Sequence, residues 1–259
     1  MLLYCNSVAL ANGSVAAILL ERAELPDWEK IIVETATPLM RQNISRLQIR
    51  DGVAYLPVGK GQLVAALAHS AIPADELHSV CRYAKPRLGM ACVVAPNHKA
   101  HLLFSLSGTG ADRLDEALLL TRVIASAIRL LNSNAVAVYW GRSLRLPSQF
   151  TLFAGGASRI RPPLMLWIAF IEKTESNGQR SFCTSGMRAF GIFEIEAVVN
   201  SWNLSKRASA VADLATLLIR SGSIVMSGST LKFSAGGDIR VDVSDSNCNP
   251  GQRVYRLRF

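Results

Sequence analysis

The stretch that most limits what this chain can become is ALLLTRVIASAIRLL, residues 117–131. A helix built from it is apolar on almost every side, so it must be buried or cross a membrane. A spanning helix needs about 20 mostly apolar residues. This run is shorter, carries Arg122 and Arg129, and follows Asp112, Arg113, Asp115 and Glu116. It reads as a deeply buried helix of a soluble protein. Asp112 starts it, with Asp115 and Glu116 in a first turn whose dipole favours negative charge. No membrane span is expected.

The rest of the chain supplies layers for that helix to lie against. SVAAILLE (14–21) has the pattern of a strand, and a helix follows from about Pro26 to Met40 with Trp28, Ile31, Ile32 and Leu39 on its apolar side. GVAYLPV (52–58) and QLVAALA (62–68) form two strands joined by the turn GKG. Pro73 opens a second helix to about Tyr83, AHLLFSLS (100–107) is a strand, and AVAVYW (135–140) follows the long helix. That order is the split β-α-β arrangement of a ferredoxin-like unit, extended by one helix and strand. Residues 141–163, rich in Gly, Ser and Pro, read as a long connection. Beyond it, LMLWIAFIE (164–172) and GIFEIEAVV (191–199) have strand character, a helix spans Ser205–Arg220, and three short strands close the chain. The expected fold is α+β: two ferredoxin-like-type α/β-sandwich halves packed together, with mixed or antiparallel sheets and helices on one face. Residues 1–145 form one half, 146–163 the connection and 164–259 the other.

The five cysteines, Cys5, Cys81, Cys92, Cys183 and Cys248, are odd in number, scattered and free of any CxxC spacing. That is the usage of a reducing compartment, where Cys acts as a small hydrophobe. The N-terminus lacks the basic segment of a leader peptide. A cytoplasmic location is expected.

Chemistry-bearing residues are few. Glu194 and Glu196 are two apart on a strand and point to one face, as a divalent cation or an acid–base pair would need. The plainer reading is the polar side of a half-buried strand, paired with Arg256 and Arg258 of a neighbour. His98 and His101 are three apart, but a zinc site wants three or four ligands, and no other cluster stands nearby. LSGTGADR (106–113) places two glycines before a helix, yet it lacks the complete phosphate-binding motifs, and its acidic first turn would repel an anion. There is no GxSxG, and Cys183 has no histidine in its own half. No cofactor is implied.

The segments TSGMRAFGIFEIEAVV, VADLATLLIRSG and GSTLKFSAGGDIRVDVSDS, with AHSAIPADELHSVC, HKAHLLFSLSG and AVAVYWGRS upstream, resemble the bacterial domain-of-unknown-function 4261 family. The resemblance covers most of the chain from about Val53 onward. It implies an intracellular bacterial protein, in some relatives beside polymorphic-toxin or type VI secretion-like systems, and carries no catalytic residues.

The net charge of +9 favours an acidic partner. Arg159, Arg161, Arg253, Arg256 and Arg258 are the natural rim contacts, with Trp140, Trp202 or Tyr255 as anchors. Without an aromatic–basic interleaving, charge alone speaks for nucleic acid. The first expectation is therefore a non-enzymatic immunity-type or adaptor-type protein that binds a bacterial effector or toxin. The second is a hydrolytic or metal-assisted enzyme using Glu194 and Glu196 in a cleft between the halves.

Overall fold

A computed structural model describes residues 13–35, 40, 43–81, 89–174, 178–199, 204–233 and 237–259. The chain is α+β and is built on two sheets. The first takes strands β1 (Gly13–Leu20), β2 (Gln48–Arg50), β3 (Val53–Val58), β4 (Gly61–Ala68), β5 (Ala100–Ser107), β6 (Ala135–Trp140) and β7 (Ser143–Arg145). Their order is β2-β3-β4-β5-β1-β6-β7, with every neighbouring pair antiparallel. Within it, β4-β5-β1-β6 follows a ferredoxin-like order, but β6 (135–140), expected as an extension, is its fourth strand. β3 (53–58), expected inside the unit, lies outside it with β2, and β7 extends the other edge.

β1 lies inside the sheet, between β5 and β6, because both of its faces are apolar. Ala16, Ile18 and Leu20 enter one core, and Ala17 and Leu19 enter another. The first core is roofed by α1 (Trp28–Thr35) and by α4 (Arg113–Leu131), which contains the apolar run 117–131. The second is covered by α2 (Ala74–Cys81) and α3 (Gly89–Val94), through Leu77, Val80 and Ala91. Helices thus cover both faces of this sheet, because β1 and β6 have apolar residues to bury on each. Pro38 and Leu39 of the first expected helix lie outside the described residues.

α4 is buried along nearly its whole length, from Leu114 to Ile128, with Arg122 on its one exposed stripe. Asp112 caps it, accepting the Asp115 N–H at 2.8 Å. No helix among the described residues is long and apolar enough to cross a membrane. Burial is completed by the second half: Trp167 donates its indole N–H to Thr121 Oγ1 at 2.9 Å, and Arg113 donates to the Ala189 carbonyl at 2.7 Å. Trp167, Met187, Ile195 and Leu214 belong to the same continuous core as β1 and α4.

The segment read as a connection contains α5 (Pro147–Gly155), and the expected strand 164–172 begins as a helical turn, α6 (Leu164–Trp167). The second sheet then runs β11-β12-β13-β10-β9-β8. Its strands are β8 (Ala169–Thr174), β9 (Arg180–Ser185), β10 (Glu194–Val199), β11 (Ser229–Phe233), β12 (Gly237–Asp245) and β13 (Arg253–Arg258). β10 and β13 are adjacent and parallel, the other pairs antiparallel. The crossover between them carries α7 (Leu204–Ser221), which buries Val211, Leu214, Ala215 and Leu218 as its apolar spacing predicts. The halves therefore share helix-on-sheet layering but not strand order, since no strand sits between β10 and β13.

Candidate functional site

β10 brings Glu194 and Glu196 to the middle of the second sheet, and both are buried, at 5 % and 0 % exposure. The expectation of a wet strand face fails because two loops fold over that face and bring N–H donors to it. Glu194 Oε2 accepts from Thr184 Oγ1 at 2.8 Å and from Met187 N at 3.2 Å, and its Oε1 accepts from Gly186 N at 2.9 Å and Arg188 N at 3.4 Å. Thr184 Oγ1 in turn accepts the Ile195 N–H. The carboxylate thereby closes the turn 186–190. That turn requires glycine at its entry: Gly186 has φ 131°, and a Cβ there would stand 2.6 Å from the Trp167 carbonyl.

Glu196 does the same for the loop after β12. Its Oε2 accepts from Ser246 Oγ at 2.9 Å, Asn247 N at 3.0 Å and Cys248 N at 3.3 Å. Its Oε1 accepts from Arg256 Nη2 at 3.1 Å. Arg256 is thus the expected cross-strand partner, while Arg258 pairs instead with Asp242 at 2.6 Å. A general acid or base must reach a reactant. Here each oxygen is already engaged below the surface, so the two carboxylates hold loops.

A third buried carboxylate follows the same rule and was missed from sequence. Glu116 accepts from Thr109 N at 3.1 Å and from Thr109 Oγ1 at 2.7 Å. It occupies the glycine loop at the start of α4 from within, where a phosphate would otherwise meet the backbone. The signal was present, since the residues three and four beyond Glu116, Leu119 and Leu120, are apolar and buried. Gly61 locks the facing turn, because a Cβ on it would lie 1.9 Å from the Ser107 carbonyl.

His98 and His101 do not form a ligand pair. His98 is buried, accepts the Ile72 N–H on Nε2 at 2.8 Å and faces the Ala95 carbonyl with Nδ1 at 2.6 Å, so Nδ1 carries the proton. His101 Nδ1 faces the Ser70 carbonyl at 2.9 Å. Burial pushes both imidazoles below their ordinary value. Both pin the segment 70–72 to β5 and the turn before it.

The arginines separate into two kinds. Arg159 is spent on Asp112 and Asp115, at 2.7 and 2.6 Å, and Arg253 approaches Asp245 at 3.7 Å. Arg256 is largely buried on Glu196 and is no rim contact. Arg161 is exposed and makes no ion pair among the described residues. Arg145, unnoticed in the sequence, is 2 % exposed and donates to the Met165 and Leu144 carbonyls. Burial pushes its guanidinium down to about 10. Of the proposed aromatic anchors, Trp140 and Tyr255 are buried in the core, and Trp202 lies outside the described residues.

The cysteine reading is also corrected. Cys81 pairs with Cys92 between α2 and α3, and Cys183 pairs with Cys248, their Cα atoms 5.7 and 6.7 Å apart. Sequence spacing hid the second pair because 65 residues separate its members. Cys5 lies outside the described residues.

Large apolar side chains are exposed in several places, Ile224 and Met226 most of all, and four of them gather on the strap from α5 to α6. Leu152, Phe153, Ile160 and Met165 are exposed there, Leu152 at 75 % and Ile160 at 71 %. The strap is held in shape by Ser158, whose N–H donates to the Arg161 carbonyl and whose Oγ accepts the Arg161 N–H, and by the Arg159 clamp on α4. A void of about 10 Å³ beneath α1 is lined by Trp28, Ile31, Ala54, Phe104 and Val123. It has room for about one water and no polar wall. No protein-family model, curated protein or solved structure matches the chain.

Proposed function

We propose that this chain is a non-enzymatic binding protein that receives an acidic protein partner on the strap between its halves. The observation that carries the reading is the exposure of Leu152 and Ile160 beside Arg161. Exposed apolar side chains gathered on one ordered segment mark contact surfaces, and interfaces combine an apolar centre with a rim in which Arg is enriched. The surplus of cations, +9 over the chain, favours encounter with an acidic surface. The narrower role, an immunity-type or adaptor-type partner of a bacterial effector or toxin, comes from the family resemblance. The enzymatic alternative has little to stand on, as the oxygens of Glu194 and Glu196 are buried and engaged.

The test is affinity capture of tagged full-length chain from its host after nuclease treatment, repeated with Leu152→Asp/Ile160→Asp and with Arg161→Glu. The reading expects one stoichiometric protein, lost with the double variant and weakened by Arg161→Glu and by salt. A partner retained equally by all three chains, or no partner at all, would overturn it.

A further inference from the structure

Beyond the carboxylate that holds the loop, the same place gathers two sulfurs. Cys183 Sγ, Cys248 Sγ and a carboxylate oxygen of Glu196 lie within 4.8 Å of one another. Glu196 and Cys183 are cross-strand partners on β10 and β9, and Cys248 is delivered by the loop that Glu196 itself binds. Cys183 and Glu196 are buried, while Cys248 is half-buried. By contrast, no third ligand among the described residues joins the Cys81–Cys92 pair.

We propose that, once the Cys183–Cys248 disulfide is reduced, Cys183, Cys248 and Glu196 form a site for a thiophilic divalent cation of the zinc type. Two thiolates select such a cation over magnesium or calcium, and three protein ligands leave a fourth position for water. Charge supports the assignment. Two thiolates and a carboxylate bring three negative charges. The cation brings two positive ones, and the Arg256 guanidinium, already 3.1 Å from Glu196, supplies the third. A buried cluster of that composition is neutral, which burial demands. Glu196 is oriented by hydrogen bonds from Ser246 and Asn247, as metal-binding carboxylates are. Its Oε2 accepts from Ser246, Asn247 and Cys248, and its Oε1 from Arg256 and, at 3.3 Å, from Asn247 N, so both oxygens are held in place for a cation.

The chemistry balances. A dithiol reductant breaks the Sγ–Sγ bond, giving two electrons and two protons to the cysteines and becoming a disulfide itself. Cation binding then forms two sulfur–metal bonds and releases the two thiol protons. Exchange with a disulfide oxidant, which takes up the two electrons, and two protons from solvent, and becomes a dithiol, re-forms the Sγ–Sγ bond and expels the cation. The site is thereby gated by redox state, and its occupancy is independent of the partner reading above.

The experiment uses the full chain, reduced with a phosphine and desalted without oxygen, then titrated with Co²⁺ alone. One equivalent should bind with a thiolate-to-cobalt charge-transfer band and be displaced by Zn²⁺, while the oxidised chain should show no such band. Cys183→Ala and Cys248→Ala should abolish the band, and Glu196→Gln, which removes the third ligand, should weaken binding while keeping the band. Cys81→Ala/Cys92→Ala should leave it unchanged. Far-UV circular dichroism checks each variant, and the reduced wild-type chain alone decides if a variant fails to fold. No thiolate band in that chain, or a band that survives loss of Cys183 and Cys248 in a folded variant, would overturn the site.

Discussion

β5 and β10 are both interior strands of their sheets, and both alternate in sequence, yet they bury different things. In β5 the alternation is a measure of depth: Ala100, Leu102, Phe104 and Leu106 are buried, and the residues between them are half-exposed. In β10 the apolar Ile195, Ala197 and Val199 are buried, and so are Glu194 and Glu196 on the opposite face. The difference lies in what covers the second face. Over β10 the turn 186–190 and the loop 246–249 arrive with unpaired N–H groups, and a buried donor needs an acceptor. Carboxylates on the strand provide it. A polar position on a strand therefore signals solvent only where no irregular backbone folds over it.

The two strands lose most at different groups. Glu196→Ala removes the acceptor of one hydroxyl and two backbone N–H groups and strands the Arg256 guanidinium. It should cost about 3–5 kcal/mol in urea unfolding. Phe104→Ala, on the apolar strand, should cost a similar amount, about 3–5 kcal/mol, through a cavity instead of a broken ion pair. Equal loss from unlike chemistry is the expected result. Added salt should leave the Phe104 deficit untouched.

Glu194→Gln is expected to be milder, about 1–3 kcal/mol, because no cation is left behind. Smaller still is a pH effect in the first half. Burial holds His98 and His101 below their ordinary value of 6.5, so the unfolded chain binds protons there more readily. Their contribution is fully present above pH about 6.5 and is lost as pH falls below it. Replacing His98 with Gln should flatten that part of the stability curve measured by thermal melts. Arg159→Ala should be the smallest, since its pairs with Asp112 and Asp115 lie in solvent.

Much of the first half was legible because its cues are local. Apolar alternation located β1, β3, β4, β5 and β6 in place, and Asp112 marked the start of α4. The short α5 and α6 were read as connection or strand, since Gly155, Gly156 and Pro163 dominate that stretch. The second half hid more. That Glu194 faces Gly186 and Thr184 is set by a turn, and that Glu196 meets Ser246 and Cys248 is set by strands 50 residues away. Neither spacing nor composition encodes such encounters. Cys183 and Cys248 were scattered in the sequence for the same reason, being neighbours only across β9 and the returning loop.

The two β10 carboxylates hold two separate loops. Amide hydrogen exchange reads it residue by residue, at Gly186, Met187, Arg188, Asn247 and Cys248, in the wild-type chain and in Glu194→Gln and Glu196→Gln. All five amides should be protected in the wild type, with Glu194→Gln releasing only the 186–188 group and Glu196→Gln only the 247–248 group. Amides that exchange freely in the wild type, or that ignore both substitutions, would contradict the account.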